Sequence, residues 1–422
     1  MLVPRFRVLR DVNKIINVLK VFKNIGPGII VTSAFIGPGT VTLCILSGIQ
    51  FGYSLIWCIV FSIIATCYLQ EISSRLGIIS RKGLSEIITD IDNSFIRKIA
   101  VLFIFLSLFI GNTAYESGNI SGTSMGLETF IGSTSLYILN NEINLNPIFI
   151  GFMLILIVEN GSYKVFEKFL VVLVSIMSLT FIFLAIISKP NISDLLNGLI
   201  PSVDDNNFIY VIGLIGTTVV PYNLFLHSYV SKNKWKNTKD YKNSLFDTII
   251  SIVIGGIISL SIIITSASVY TLSSPIEVQN AVELGNQLSP ILGDFSKYFI
   301  SIGLFCAGIT SSITAPIATS YALSGIFKYK AKWEDPSFKK VSYTVIIIGI
   351  LFSSLSYKPI VIIKFAQFIN GLFLPLIAGF LLWSINKRKI MGDFTNSSIY
   401  NLLGIIIIII SLLISYRSLI LL

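Results

Sequence analysis

The chain has 422 residues, of which 54% are apolar and only 12% are charged, and its formal net charge is +10. Roughly a quarter of the residues of a soluble domain are charged, so this composition excludes an ordinary soluble fold and predicts an all-α polytopic membrane protein. The sequence shows no nucleophile–base set, P-loop or dinucleotide motif, so we expect that it is not an enzyme.

Eleven apolar stretches approach or exceed the ~17–25 residues that a transmembrane helix needs. They predict one transmembrane domain over 25–422, preceded by a cytoplasmic N-terminal arm over 1–24. All four cysteines fall inside these stretches, and we expect them to be packing residues. The predicted spans, in chain order, are about 26–52, 53–75, 96–122, 146–159, 164–187, 207–231, 244–269, 293–327, 340–357, 359–385 and 398–418.

Most of the 31 basic residues lie in the N-terminal arm and in alternate loops, whereas the intervening loops are acidic. Because basic loops stay in the cytoplasm, this alternation predicts a cytoplasmic N-terminus in a multi-pass protein. The abundance of Ile, Asn, Lys and Ser is typical of an AT-rich genome, so we expect a bacterial inner (plasma) membrane. The charge distribution needs no nucleic-acid partner, and the sequence predicts no obligate protein partner beyond the lipid bilayer.

Two of the predicted spans are interrupted near their centres by proline. The first contains Gly37-Pro38-Gly39-Thr40, and the sixth contains Val220-Pro221-Tyr222-Asn223. A helix cannot run regularly through such a sequence. Irregular backbone at membrane depth persists only where protein buries it or where it lines a cavity. Matching interruptions in two halves of a chain are typical of the substrate site of a secondary transporter.

Four stretches, 70–86, 215–228, 303–326 and 365–376, resemble spans two, six, eight and ten of the NRAMP divalent-metal transporters. The resemblance implies the fold of amino-acid/sodium symporters, with two inverted five-helix repeats in which helices 1 and 6 are unwound. The repeats are expected at about 25–190 and 205–386, followed by an extra helix at 398–418. Pro38 and Pro221, 183 residues apart, occupy the first helix of each repeat.

The sequence departs from this family where the family binds its metal. The family motifs are Asp-Pro-Gly-Asn in the first span and Met-Pro-His-Asn in the sixth. Here Gly37, Thr40 and Val220 replace the metal-ligating aspartate, asparagine and methionine, and Tyr222 replaces the histidine. A transition metal needs charged or soft donors, so we expect that the metal site is lost and that no metal is held.

The same positions suit an anion. The first amides of each half-helix that resumes after a proline are expected to point into the cavity without intrahelical partners. A small oxyanion, with bicarbonate the best single guess, would then be moved by alternating access, as symport with a coupling ion. Alternatives remain open: a divalent cation, Mg²⁺ before Mn²⁺ or Fe²⁺; an amino acid; or a sensor that transports nothing.

The expected substrate-binding residues combine backbone amides, hydroxyls and amide side chains from the two interruptions with the one family glutamine that is kept, in the tenth span. Another family glutamine, in the eighth span, appears as Ile309. The predicted contacts are Gly37, Gly39, Thr40, Val41, Thr217, Thr218, Val220, Tyr222, Asn223 and Gln367.

Three ionisable residues inside the spans are candidates for coupling or gating: Glu116, His227 and Lys364. The resemblance aligns Glu116 with a family glutamate on the proton route, and Lys364 shares a helix face with Gln367. Structural interpretations stay open: a buried partner for Glu116, a packed ring for His227 and a lysine that snorkels to the outer interface. We expect no cofactor beyond a coupling ion, Na⁺ or H⁺.

Overall fold

The computed structural model describes residues 26–138, 141–160, 163–270, 278–355 and 358–420. The predicted arm over 1–24 lies outside the described residues. Within them the chain forms eighteen α-helices and one two-stranded hairpin. The helices are α1 (Pro27–Phe35), α2 (Pro38–Phe51), α3 (Ile56–Ser80), α4 (Leu84–Ile87), α5 (Ser94–Ile131), α6 (Asn146–Asn160), α7 (Tyr163–Ile187), α8 (Ile192–Asn197), α9 (Phe208–Thr218), α10 (Pro221–Lys234), α11 (Tyr241–Ala267), α12 (Ala281–Asn286), α13 (Ser289–Leu292), α14 (Ser296–Phe327), α15 (Pro336–Ser354), α16 (Pro359–Ile385), α17 (Arg388–Met391) and α18 (Ser398–Ile420).

Short 3₁₀ turns and a hairpin complete the secondary structure. The hairpin joins α5 to α6 and pairs β1 (Ser135–Ile138) with β2 (Asn141–Asn144) in antiparallel register. The 3₁₀ turns are Ile88–Asp90, Thr238–Asp240, Gly293–Phe295 and Gly392–Phe394.

Every predicted span coincides with helix. In the described part of the chain, eight helical segments are long and apolar enough to cross a membrane. Three shorter apolar helices, Pro38–Phe51, Asn146–Glu159 and Val174–Ile187, match the first, fourth and fifth predicted spans. The prediction of an all-α polytopic membrane protein is therefore confirmed.

Helix α5 differs most from its predicted span, because it continues to Ile131 instead of ending near residue 122. Its second half is poor in large apolar residues, which is why hydropathy placed its end too early. The helix persists because small residues let its neighbours approach closely. A Cβ atom on Gly122 would lie 2.2 Å from the Pro38 side chain, and one on Gly126 would lie 2.5 Å from the Ser301 carbonyl oxygen of α14. Helix α5 thus touches the first interruption directly.

The two interrupted spans have the same local geometry. Helices α2 and α10 each contain 14 residues and begin with a proline. The residue after the preceding half-helix has nearly the same conformation in both, with φ −81° and ψ 67° at Ile36 and φ −94° and ψ 69° at Val219. The next residue, Gly37 or Val220, is extended. This correspondence is what two structural repeats would require of their first helices. We call residues 36–40 the first break and residues 219–223 the second break.

Candidate functional site

The backbone at each break leaves specific amides without helical partners. The Val41 N–H donates to the Gly37 carbonyl oxygen at 3.2 Å, which is the first hydrogen bond of α2. The amides of Gly39 and Thr40 precede that bond and have no intrahelical acceptor. The prediction that Val41 presents a free amide is wrong, because the carbonyl of the residue before Pro38 already accepts from it.

At the second break the first hydrogen bond of the helix begins one residue closer to the proline. The Asn223 N–H donates to the Val220 carbonyl oxygen at 3.1 Å, so the prediction that this amide is free for a ligand is wrong. The Tyr222 amide is the one that precedes the first bond of α10. Val220 itself is buried and apolar, and contributes its carbonyl to the helix start.

The first break is pressed against three helices, and its glycines allow this contact. A Cβ atom on Gly39 would lie 2.1 Å from Gln367 Nε2 of α16. A Cβ atom on Gly37 would lie 2.7 Å from Ser311 Oγ of α14 and 3.2 Å from the Tyr115 hydroxyl of α5. The structure therefore brings the predicted residues Gly37, Gly39 and Gln367 together and adds Ser311 and Tyr115, which the sequence analysis did not identify.

The threonines near the breaks connect the half-helices to one another. The Thr40 hydroxyl donates to the Phe35 carbonyl oxygen and lies 2.7 Å from Thr217 Oγ1. Since Thr40 has one hydroxyl proton, Thr217 is the donor in this second contact. The Thr218 hydroxyl donates to the Leu214 carbonyl oxygen of its own helix at 3.1 Å. The expectation that these three threonines offer free donors is therefore wrong, because backbone carbonyls and a second threonine already satisfy their hydroxyl groups.

Several other polar groups at the breaks have no hydrogen-bond partner among the described residues. They are the Tyr222 hydroxyl, both amide atoms of Asn223, Gln367 Oε1 and Ser311 Oγ. The exposed fraction of each of these four residues is at most 1%. A buried polar group without a partner costs about 1–3 kcal/mol. Such a concentration of unsatisfied groups is typical of a site that a polar ligand completes.

The aromatic pair beside these groups fixes the position of Tyr222. The rings of Tyr115 and Tyr222 meet edge to face with their centroids 5.5 Å apart. The Tyr115 hydroxyl donates to the Ala34 carbonyl oxygen in α1 at 3.0 Å. Tyr115 therefore holds the end of α1 and the start of α10 in one arrangement, while the hydroxyl of Tyr222 stays available. The only sequence signal for Tyr115 was its position next to Glu116.

Two of the three ionisable candidates lie away from the breaks. His227 is fully buried, with Nδ1 2.9 Å from Gln70 Oε1 and Nε2 3.5 Å from Thr248 Oγ1. Lys364 is half-buried, and its Nζ lies 5.0 Å from the centre of the Tyr210 ring, a cation–π contact. These contacts match the structural interpretations: a packed histidine, and a lysine held near the end of its helix.

Glu116 is fully buried in α5, one residue from Tyr115. Its side chain contacts α15, where a Cβ atom on Gly349 would lie 2.7 Å from Glu116 Cγ. Ile309, which replaces a family glutamine, belongs to an apolar cluster that includes Ile120 of α5. Within the described residues, no group of three or more His, Cys, Asp or Glu side chains could hold a metal ion. The residues of the two breaks, 36–40 and 219–223, are all neutral.

Comparisons with known proteins give one consistent result. The profile of the Nramp family, described as natural resistance-associated macrophage protein-like, matches residues 28–421. The divalent metal cation transporter MntH of Yersinia pestis (strain Pestoides F) is 26% identical over 393 residues, which are 91% of each chain. MntH of Staphylococcus saprophyticus is 25% identical over 415 residues, covering 93% of this chain and 91% of the relative.

Solved structures extend the similarity to the fold. The manganese transporter of Eremococcus coleocola, in complex with an aromatic bis-isothiourea substituted compound, aligns with a TM-score of 0.76 at 20% identity. The alignment covers 94% of this chain and 86% of that transporter. The two proteins share a fold over almost their whole length.

Proposed function

The chain belongs to the Nramp family and is a multi-pass membrane transporter, and we propose that it carries a small anion, with bicarbonate the leading substrate. The observation that supports this proposal is the neutral lining of the two breaks. Gly37, Thr40 and Val220 offer no carboxylate and no sulfur, and the phenol of Tyr222 can donate a hydrogen bond.

The available groups match an oxyanion that also carries a hydroxyl. The amides of Gly39, Thr40 and Tyr222 lie at the positive ends of two half-helices, where anions are favoured. The Tyr222 hydroxyl and Asn223 Nδ2 are further donors without a partner. Gln367 Oε1 and Asn223 Oδ1 are acceptors without a partner and could receive the bicarbonate O–H. Donors and acceptors are thus both present, and no residue of either break carries a negative charge.

A divalent cation is the second candidate, and the names of the relatives favour it. MntH of Yersinia pestis is a divalent metal cation transporter, whereas the donors here are amide and hydroxyl oxygens. A dehydrated divalent ion in a neutral, buried site would keep an uncompensated desolvation cost. The desolvation cost would be smallest for Mg²⁺, because it retains several waters, and Gln367 and Asn223 would supply its protein ligands. An amino acid would place its carboxylate on the same amides, but its ammonium group has no carboxylate at the breaks to pair with.

Alternating access requires contacts that close one side and can be released. Two such contacts lie on the side that the charge pattern assigns to the cytoplasm. Asp247 Oδ1 and Oδ2 accept from the amides of Gly26 and Gly28, each at 2.8 Å, which fastens the start of α1 to α11. Lys232 Nζ lies 2.7 Å from Glu86 Oε1 and connects the end of α10 to α4. Opening toward this side would break both contacts.

Uptake into proteoliposomes tests the proposal. The purified chain is reconstituted, and initial rates are measured for ¹⁴C-bicarbonate, Mn²⁺ and Mg²⁺ under imposed Na⁺ or pH gradients. At alkaline pH, where little CO₂ crosses the bilayer, we expect saturable bicarbonate uptake above that of protein-free vesicles. Saturable Mn²⁺ or Mg²⁺ uptake without bicarbonate uptake would show that the neutral site carries a cation, and the proposal would be wrong.

A further inference from the structure

The carboxylate of Glu116 is fully buried in α5 and has no ion-pair partner within the described residues. Another buried acid, Glu71 of α3, shows the usual solution. Glu71 lies 3.1 Å from Arg75 Nε and accepts a hydrogen bond from the Tyr241 hydroxyl at 2.7 Å. An isolated buried charge is far more costly than a paired one. Glu116 therefore needs either a proton or a cation that is not part of the chain.

The immediate neighbours of Glu116 supply oxygen atoms. The one hydrogen bond that it receives from a described residue, from Asn119 Nδ2 to Oε2, is long at 3.5 Å. Glu116 Oε1, Asn119 Oδ1 and the Ser312 hydroxyl of α14, which lies beside the carboxylate, have no partner in hydrogen-bonding geometry among the described residues. The two ends of an amide side chain are nearly indistinguishable in shape, so Asn119 can turn Oδ1 toward the carboxylate when a cation lies between them. All three residues are at most 1% exposed.

The surrounding wall is apolar and close-packed. Gly349 of α15 contacts the Glu116 side chain directly. The adjacent cluster of buried apolar residues comes from α5, α6, α14 and α15; its members include Ile120, Ile309, Ile313 and Ile346. A monovalent cation would make this site neutral, whereas a divalent ion would leave one positive charge facing the aliphatic wall. The close packing favours a small ion.

We propose that Glu116, Asn119 and Ser312 form a binding site for Na⁺. The hard oxygen donors, one of them charged, suit an alkali cation and not a transition metal. On α5 Glu116 is one residue from Tyr115, about 100° around the helix, and Tyr115 contacts α1 and Tyr222 at the breaks. One cation and one anion would therefore bind beside the same helix, and their joint movement would carry no net charge.

The coupling part of this inference rests on the proposed anion transport, but Na⁺ binding does not. Binding of ²²Na⁺ is measured on the full purified chain in detergent, with choline as the replacement ion. We expect saturable binding that Li⁺ displaces better than K⁺. Glu116→Gln keeps the shape but removes the charge, and should weaken binding at least tenfold. Ser312→Ala should weaken it by a smaller factor.

Glu128 provides the matched control on the same helix. Its carboxylate is satisfied by the Ser124 hydroxyl at 2.8 Å and by Asn144 Nδ2 at 2.7 Å. Glu128→Gln should bind ²²Na⁺ like the unaltered chain. Thermal unfolding in choline establishes that each variant is folded. Equal Na⁺ binding by the unaltered chain and Glu116→Gln, or no saturable binding by either, would overturn the site and leave Glu116 as a protonated acid.

The two proposals fail separately. Na⁺ binding that depends on Glu116, combined with absence of bicarbonate uptake, would refute the substrate and retain the site. Bicarbonate uptake that is indifferent to Na⁺ in every variant would refute the coupling and retain the substrate, and the ²²Na⁺ measurement alone decides the site.

Discussion

The two breaks share one backbone geometry but contribute different chemistry. Around the first break, glycines let Gln367 and Ser311 contact the chain, and the Thr40 hydroxyl is used to connect helices. Around the second break, Tyr222 and Asn223 are buried with polar atoms that no described residue satisfies. The first break therefore offers its backbone to a ligand, and the second offers side chains. Substitutions should affect transport or stability according to the break at which they fall.

The largest effect is expected for a charge at the first break. Gly37→Asp places a carboxylate next to the free amides of Gly39 and Thr40, where it competes with an anionic substrate. We expect loss of bicarbonate uptake by much more than tenfold, because a hydrogen bond to a charged group contributes about 1.5–3 kcal/mol and several are displaced together. Initial uptake rates in proteoliposomes measure this effect.

Gly37→Asn is the matched control, because it meets the same Ser311 Oγ, 2.7 Å from a Cβ atom, without adding charge. It should retain more uptake than Gly37→Asp, and the difference isolates electrostatics from bulk. If both variants carry bicarbonate at the unaltered rate, the first break does not contact the substrate.

A smaller effect is expected from the loss of one hydroxyl at the second break. Tyr222→Phe removes a buried donor that has no partner in hydrogen-bonding geometry among the described residues, so the thermal stability should not fall. Its contact with substrate should be lost, which raises the apparent KM by roughly tenfold, the equivalent of about 1–2 kcal/mol. Tyr115→Phe is the contrasting variant. The Tyr115 hydroxyl donates to the Ala34 carbonyl oxygen, so its removal should lower the thermal stability. An unchanged KM in Tyr222→Phe would place the substrate elsewhere.

The smallest effect on transport is expected at Thr40. Thr40→Val keeps the shape but deletes the contacts with Phe35 and Thr217, so it should cost about 1–2 kcal/mol of stability. The apparent KM should change less than in Tyr222→Phe. Thr218→Val, whose hydroxyl bonds only within its own helix, should be the milder of the two threonine variants. A tenfold rise in the apparent KM without a fall in the unfolding temperature would contradict this prediction and show that Thr40 contacts the substrate.

Much of the fold could be predicted because it depends on local composition. Apolar stretches interrupted by charged loops located all eleven spans, and proline with its neighbours located both breaks to the residue. The C-terminal end of α5 could not be predicted in this way. Its second half is held by contacts with α14 and Pro38, and hydropathy contains no record of such contacts.

The candidate site was predictable only in part. The sequence alone determined that the breaks carry no charged or soft ligand, because the identities at Gly37, Thr40, Val220 and Tyr222 are sufficient for that conclusion. The tertiary structure decided which of those residues remain free. It satisfied the Thr40 hydroxyl, left the Tyr222 hydroxyl without a partner among the described residues, and brought the Tyr115 hydroxyl to the end of α1. The physical reason is range: a helix break follows from a few adjacent residues, whereas a hydrogen-bond partner depends on which distant helices the fold places within about 3 Å.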